Sequence, residues 1–90
     1  MPRVHLQAPL TQATSGQSVV EVNGATVTEL IEAIETRFGG LRKMIYNERG
    51  QLHRHIIISV NGEDIRFLED HDTAVRDGDE ISILPVIAGG

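Results

Sequence analysis

The sequence has no cysteine among its 90 residues. Disulfide bonds, a thiolate zinc site and a cysteine nucleophile are therefore excluded, and the composition fits a reducing compartment. The sequence also has no apolar run long enough for a signal peptide or a membrane-spanning helix. From these two absences we expect a cytoplasmic protein that makes no contact with a membrane.

Basic residues are few as well, with 8 Lys and Arg against 13 Asp and Glu and a formal net charge of -5. A surface of this sign repels phosphate backbones, so it disfavours nucleic-acid binding and favours a partner with a basic surface. The hydrophobic share of 40% and the charged share of 23% are those of an ordinary globular protein. A chain of this length is expected to form one small domain.

Familiar catalytic motifs are missing too, since the sequence has no Walker loop, no GxSxG and no HExxH. His53 and His55 would share one face of a strand, but no further metal ligand accompanies them. Asp77-Gly78-Asp79 lacks the frame and closing glutamate of a calcium loop and predicts a tight turn. Asp70-His71-Asp72 has no nucleophile beside it and predicts a solvated loop. We therefore predict no catalytic residue, no metal site and no bound cofactor.

One segment predicts an amphipathic helix that begins after Thr26. Thr26 and Glu29 have the spacing of a capping box, in which each side chain satisfies the other residue's free backbone N–H. Gly39-Gly40 ends the helix, and residues 41–46 predict one or two further helical turns. The apolar residues of the helix recur at three- and four-residue steps and form one stripe: Val27, Leu30, Ile31, Ile34 and Phe38.

The remaining apolar segments predict strands. Residues 3–8 and 18–22 read as a hairpin joined by a polar loop at 11–16, and Asn61-Gly62 marks a tight turn after residues 56–60. Two more strands are predicted at residues 65–68 and 80–86, the last with Ile81 and Ile83 inward. A hairpin, a crossing helix and further strands predict an α+β fold: a β-grasp, or ubiquitin-like, mixed sheet with the helix across one face and the last strand beside the first.

The end of the sequence carries the chemistry. Residues 84–90 contain no ionisable side chain, so the α-carboxylate of Gly90 is the only reactive group there. Gly89 and Gly90 lack a Cβ atom and can lie extended in a channel too narrow for a side chain. We therefore divide the chain into a domain at residues 1–86 and a tail at residues 87–90. The alternative is that the two glycines are merely a frayed end.

These residues also resemble a known family. The Asp77–Glu80 turn, the alternating strand after it, Pro85 and the ending Ala88-Gly89-Gly90 look like the C-terminal signature of the MoaD/ThiS family of ubiquitin-like sulfur carriers. The block from Leu52 to Phe67 is most similar to CysO-type members. The resemblance implies a carrier that is a protein co-substrate and not itself an enzyme.

The resemblance also implies a route and its partners. An adenylyltransferase of the ubiquitin-activating type (MoeB/ThiF-like) would use ATP and Mg²⁺ to convert the Gly90 carboxylate into an acyl-adenylate, and a sulfur donor would then leave a thiocarboxylate. In the CysO-type branch the acceptor is a pyridoxal-phosphate (PLP)-dependent cysteine synthase, and a metalloprotease of the JAMM type frees the cysteine. Three alternatives stay open: a modifier joined to lysines through Gly90, the small subunit of molybdopterin synthase, and a pure interaction domain.

The resemblance also assigns contacts with the partners. Ala88 and Gly89 would thread the partner's active site, and Leu84, Pro85 and Val86 would dock on its surface. Ile57 is expected to share the face of Leu84; the alternative for both side chains is an ordinary exposed position. The sequence does not rank Arg42, Lys43 and Arg54 as cations that could pair with a partner's acids.

Overall fold

The computed structural model describes residues 1–86, so the predicted tail at 87–90, with Ala88, Gly89 and Gly90, lies outside the described residues. Within residues 1–86, neither α-helix is long and apolar enough to span a bilayer. Three short 3-10 helices join the larger elements, at Leu10–Thr14, Ile65–Phe67 and Asp70–Asp72. The larger elements are β1 (Arg3–Leu6), β2 (Val19–Glu21), α1 (Val27–Phe38), α2 (Leu41–Ile45), β3 (Ile56–Val60), β4 (Glu63–Asp64) and β5 (Glu80–Pro85).

The five strands form one mixed sheet in the order β2-β1-β5-β3-β4. β1 and β2 pair antiparallel, which confirms the predicted hairpin. β5 lies between β1, to which it is parallel, and β3, to which it is antiparallel. The last strand therefore lies beside the first, as the β-grasp prediction requires.

The boundaries of α1 follow from local chemistry. Thr26 Oγ1 accepts a hydrogen bond from the Glu29 amide at 3.2 Å, which confirms half of the predicted capping box. The other half is displaced by one residue, because the Glu29 carboxylate accepts from the Ala25 amide at 2.9 Å and not from the N-cap itself. Gly39 ends the helix with a φ of 72°, a left-handed conformation that glycine adopts without strain.

The core lies between α1, α2 and one face of the sheet. The predicted stripe of α1 faces it, with Val27, Leu30, Ile31 and Ile34 buried and Phe38 partly buried against it. The odd-numbered inward residues of β5, Ile81 and Ile83, are buried as predicted. The opposite face of the sheet is therefore left for other contacts.

Ile34→Ala is expected to lower the free energy of unfolding by about 2–5 kcal/mol, because the side chain is 0% exposed and its removal leaves a cavity. Thr36→Ala on the exposed side of the same helix is the matched control and is expected to change stability by less than about 0.5 kcal/mol. Urea unfolding of the two variants beside the parent protein measures both values. Equal midpoints for the two variants would contradict the placement of Ile34 in the core.

Two predictions about the connecting segments are wrong. Residues 11–16 are not simply a polar loop, because Leu10–Thr14 forms a 3-10 helix that buries Leu10 and Thr14. Residues 65–68 are not a strand: β4 is only Glu63–Asp64, and the 3-10 helix Ile65–Phe67 follows. The Asp64 carboxylate accepts a hydrogen bond from the Arg66 backbone amide at 2.9 Å. This local bond takes the place of the hydrogen bonds to β3 that a longer β4 would need.

Candidate docking face and tail root

The sheet face opposite the helices stays open. Its side chains alternate with the buried core residues along each strand, and all of them are partly or fully exposed. We call this surface the open face. It comprises Arg3, His5, Val19, Glu21, Ile57, Ser59, Glu80, Ser82 and Leu84.

The apolar part of the open face contains the residues predicted to dock a partner. Leu84 on β5 and Ile57 on β3 are direct partners across the antiparallel pair. Residues opposite each other in such a pair have Cβ atoms about 4.5–5.5 Å apart, so the two side chains form one apolar surface. Both are half-buried, which leaves apolar area for a further contact. The expectation that Leu84 and Ile57 share a face is confirmed, whereas their docking role stays a prediction.

A shallow depression of about 470 Å³ lies next to Leu84 on the open face. Val19, which is 42% exposed, borders it on the β2 side. His5 Nε2 and Glu80 Oε1, which lie 2.7 Å apart, also border it. Sequence reasoning missed these three residues. The alternation of Val19 with buried Val20 was a usable signal, but the His5–Glu80 pair joins residues 75 positions apart and follows only from the strand register.

The predicted tail starts beside this apolar surface. Pro85 is the last residue of β5 and is paired with Ile56. Proline has no backbone N–H, so Pro85 donates no hydrogen bond to a neighbouring strand. Val86 is 40% exposed, and its amide donates to the His55 carbonyl oxygen at 2.6 Å. We call Pro85, Val86 and the contacting segment 53–55 the tail root.

The turn before β5 is held by side chains, which confirms the prediction of a turn at Asp77-Gly78-Asp79. The Asp79 carboxylate accepts hydrogen bonds from the Asn61 side-chain amide at 3.1 Å and from the Arg76 backbone amide at 2.8 Å. These two bonds lower the pKa of Asp79 below its usual value, and the bond from Asn61 has the larger effect. Asn61 Oδ1 also accepts from the Glu80 amide at 3.0 Å, so the start of β5 is tied to the β3–β4 turn.

A polar chain lies on the helix side of the molecule. His71 Nδ1 is 2.7 Å from Asp70 Oδ1, and His71 Nε2 is 2.8 Å from the Tyr46 hydroxyl. Burial raises the pKa of Tyr46 to about 12. The segment Asp70–Asp72 is a 3-10 helix with no buried residue, so the predicted solvation is confirmed, whereas the segment is helical and not an irregular loop. Its His71 is joined to Tyr46, the C-cap of α2. The contact depends on a residue far away in the sequence, so the local pattern did not reveal it.

The two histidines of the tail root stack on each other, with His53 and His55 ring centroids 5.1 Å apart and an interplanar angle of 26°. In the part of the chain that the structure describes, no cluster of three or more His, Cys, Asp or Glu side chains could hold a metal ion. The pair is therefore a feature of the tail root's packing.

The fold and the open face together define a ubiquitin-like β-grasp protein whose strand β5 ends at the tail root. Comparison with known proteins names the family. The model described as "ThiS family" matches residues 4–90, and the chain belongs to that family of small sulfur carriers. The predicted family and fold are both confirmed.

Individual relatives agree with this assignment. The chain is 42% identical over 79 residues to the sulfur carrier protein CysO of Mycobacterium tuberculosis. The aligned residues cover 86% of this chain and 85% of the relative. It is 33% identical over 66 residues to small archaeal modifier protein 3 of Haloferax volcanii, covering 73% of this chain and 71% of that one. A chain in the crystal structure of the Amycolatopsis orientalis BexX/CysO complex superposes with a TM-score of 0.90 at 40% identity, over 100% of both chains.

Proposed function

We propose that this protein carries sulfur as a thiocarboxylate on Gly90 and delivers it to cysteine synthesis. The observation that carries the proposal is the position of the tail root, which continues directly from the apolar Leu84–Ile57 surface. A partner that covers this surface would receive the tail without any change in the sheet. The CysO relatives and the solved BexX/CysO complex of a similar chain support a role that depends on docking.

The first step activates a carboxylate, which is a poor electrophile until one oxygen becomes a leaving group. An adenylyltransferase of the ubiquitin-activating type supplies that leaving group from ATP and Mg²⁺: a C-terminal carboxylate oxygen attacks the α-phosphorus, and pyrophosphate leaves. A sulfur donor then displaces AMP and leaves the thiocarboxylate. The carboxyl groups of Asp, Glu and the chain end have similar intrinsic acidity, with pKa values of about 4, so selection of Gly90 comes from reach into a narrow site.

The second step transfers the sulfur. Its proposed acceptor is a PLP-dependent cysteine synthase, after which a JAMM-type metalloprotease releases cysteine from the carrier. PLP, ATP and Mg²⁺ all belong to the partners, and this chain contributes the tail and the docking face. The catalytic groups of both steps are likewise assigned to the partners, so the chain acts as a co-substrate.

Intact-mass spectrometry tests the proposal. The full chain is incubated with an activating enzyme of this type, ATP, Mg²⁺ and a sulfide source, and a parallel sample omits ATP. We expect an ATP-dependent mass increase equal to one oxygen-to-sulfur exchange, located by fragmentation at Gly90. Addition of the cysteine synthase and O-phosphoserine should convert this species into a cysteinyl adduct. A chain that keeps its original mass in the presence of ATP and sulfide would overturn the proposal.

A second candidate function is protein modification, because one relative is a small archaeal modifier protein. Both functions begin with activation of Gly90, and they differ in the product. A modifier forms isopeptide bonds with lysines, so affinity purification from cells would yield conjugates of higher mass that survive a thiol wash. A carrier yields the free chain with the sulfur exchange.

A further inference from the structure

The three basic residues that the sequence left unranked lie in different places. Arg42 on α2 pairs with Glu32 at 3.5 Å. Lys43 lies beside it on α2 and, with Tyr46 and His71, borders a cavity of about 610 Å³ on the helix side. Arg54 belongs to the tail root, one residue from the His55 carbonyl that holds Val86. Only Arg54 is therefore placed to meet whatever surface receives the tail.

Arg54 is also free to form a new contact. Its side chain is exposed, and within residues 1–86 it makes no ion pair with an Asp or Glu. The charged residues across the neighbouring cavity of about 470 Å³ are Arg66 and Asp70. Arg66 is bound to Asp64 at 2.7 Å, and Asp70 is bound to His71 at 2.7 Å. The acid that borders the same cavity as Arg54 is thus already paired.

The strands that end at the tail root carry few charged residues. Three ranges supply or adjoin the β1, β3 and β5 strand ends at the tail root: residues 4–18, 50–62 and 81–86. Together they contain one Lys, Arg, Asp or Glu, and it is Arg54. The opposite end of β5 carries Asp77, Asp79 and Glu80 in a short turn. The protein as a whole has a net charge of -5. Arg54 is therefore the one charged residue of the tail root itself, and the neighbouring Arg66 and Asp70 are each paired with another residue.

We propose that Arg54 pairs with a carboxylate at the rim of the partner channel that accepts the tail. The tail at 87–90 spans at most about 14 Å when fully extended. A partner that holds Gly90 in its active site must therefore bring its surface close to the tail root, where Arg54 is exposed. The ion pair fixes which side of the channel faces segment 53–55, so it selects for an acidic rim and against a basic one. This inference rests on the proposed function of Gly90.

Arg54→Glu tests the inference, and Arg76→Glu is the matched control, because Arg76 is exposed and lies at the opposite end of β5. Both variants change the net charge by the same amount. The KM of the carrier in ATP–pyrophosphate exchange and the Kd of the nucleotide-free complex are measured at low and high salt. We expect Arg54→Glu to raise both constants on the order of tenfold at low salt with little change in kcat, and the control to change them far less. High salt should shrink the difference, since screening acts within about 3 Å at 1 M.

Each other outcome decides against the inference. Equal KM and Kd values for the two variants would show that Arg54 contacts no charged rim. An effect of Arg54→Glu that appears only when ATP is bound would assign its partner to the nucleotide phosphates and would overturn the carboxylate. Absence of exchange activity with the unaltered chain would remove the proposed function itself. Thermal unfolding of both variants checks that the fold is intact.

Discussion

Deletion of Gly90 is expected to lower kcat/KM for adenylation at least about 100-fold and to leave the melting temperature unchanged. The shortened chain still ends in a glycine carboxylate, but this group is displaced by one residue, or about 3.5 Å. A displacement of about 1 Å can already cost 100-fold when reacting atoms must be aligned. The fold should not respond, because glycine has no side chain to bury and, within residues 1–86, the buried apolar side chains lie between Val4 and Ile83.

Gly90→Ala separates reach from width in the same assay. This variant keeps the length and the terminal carboxylate and adds one methyl group. Loss of activity in both variants would indicate a channel that is narrow as well as deep, and loss in the deletion alone would indicate that length is decisive. Full activity of the deletion variant in ATP–pyrophosphate exchange would contradict the idea that reach selects Gly90.

Leu84→Asp should have the second largest effect, a rise of at least about tenfold in the KM of the activating enzyme for the carrier. The substitution puts a charge into the apolar contact that Leu84 forms with Ile57, and burying an unpaired charge against a partner is costly. A loss of about 1.4 kcal/mol in binding already gives a factor of ten. The kcat at saturating carrier should change little, since the tail and its carboxylate are unaltered.

Phe67→Asp provides the control for this substitution. Phe67 is 79% exposed and lies after β4, at the far edge of the sheet from β2. It therefore undergoes the same apolar-to-acidic change outside the open face. Similar KM values for the two variants would argue against docking through Leu84. A fall in kcat with KM unchanged would instead assign Leu84 to positioning of the tail.

How far the sequence predicted the structure differs between elements. The helix α1 and the inward residues of β5 were predictable, because each depends on a short periodic pattern next to a cap or a turn. The predictions for segments 11–16 and 65–68 gave the wrong type of secondary structure. Both segments contain a 3-10 helix, which is held by local hydrogen bonds and leaves little apolar periodicity in the sequence. The contact between Tyr46 and His71 was missed for a different reason, since two connecting segments meet there only after folding.

The sequence alone determined the alternation that leaves Leu84 outward on β5 and the absence of an ionisable side chain from residues 84–90. These properties depend on near neighbours in the chain and on covalent identity. Tertiary structure alone decided that Ile57 lies beside Leu84, that His5 meets Glu80, and that Arg54 stands at the tail root. The reason is that strand order and register come from burying one face of the whole sheet, and no local pattern encodes which distant strand becomes the neighbour.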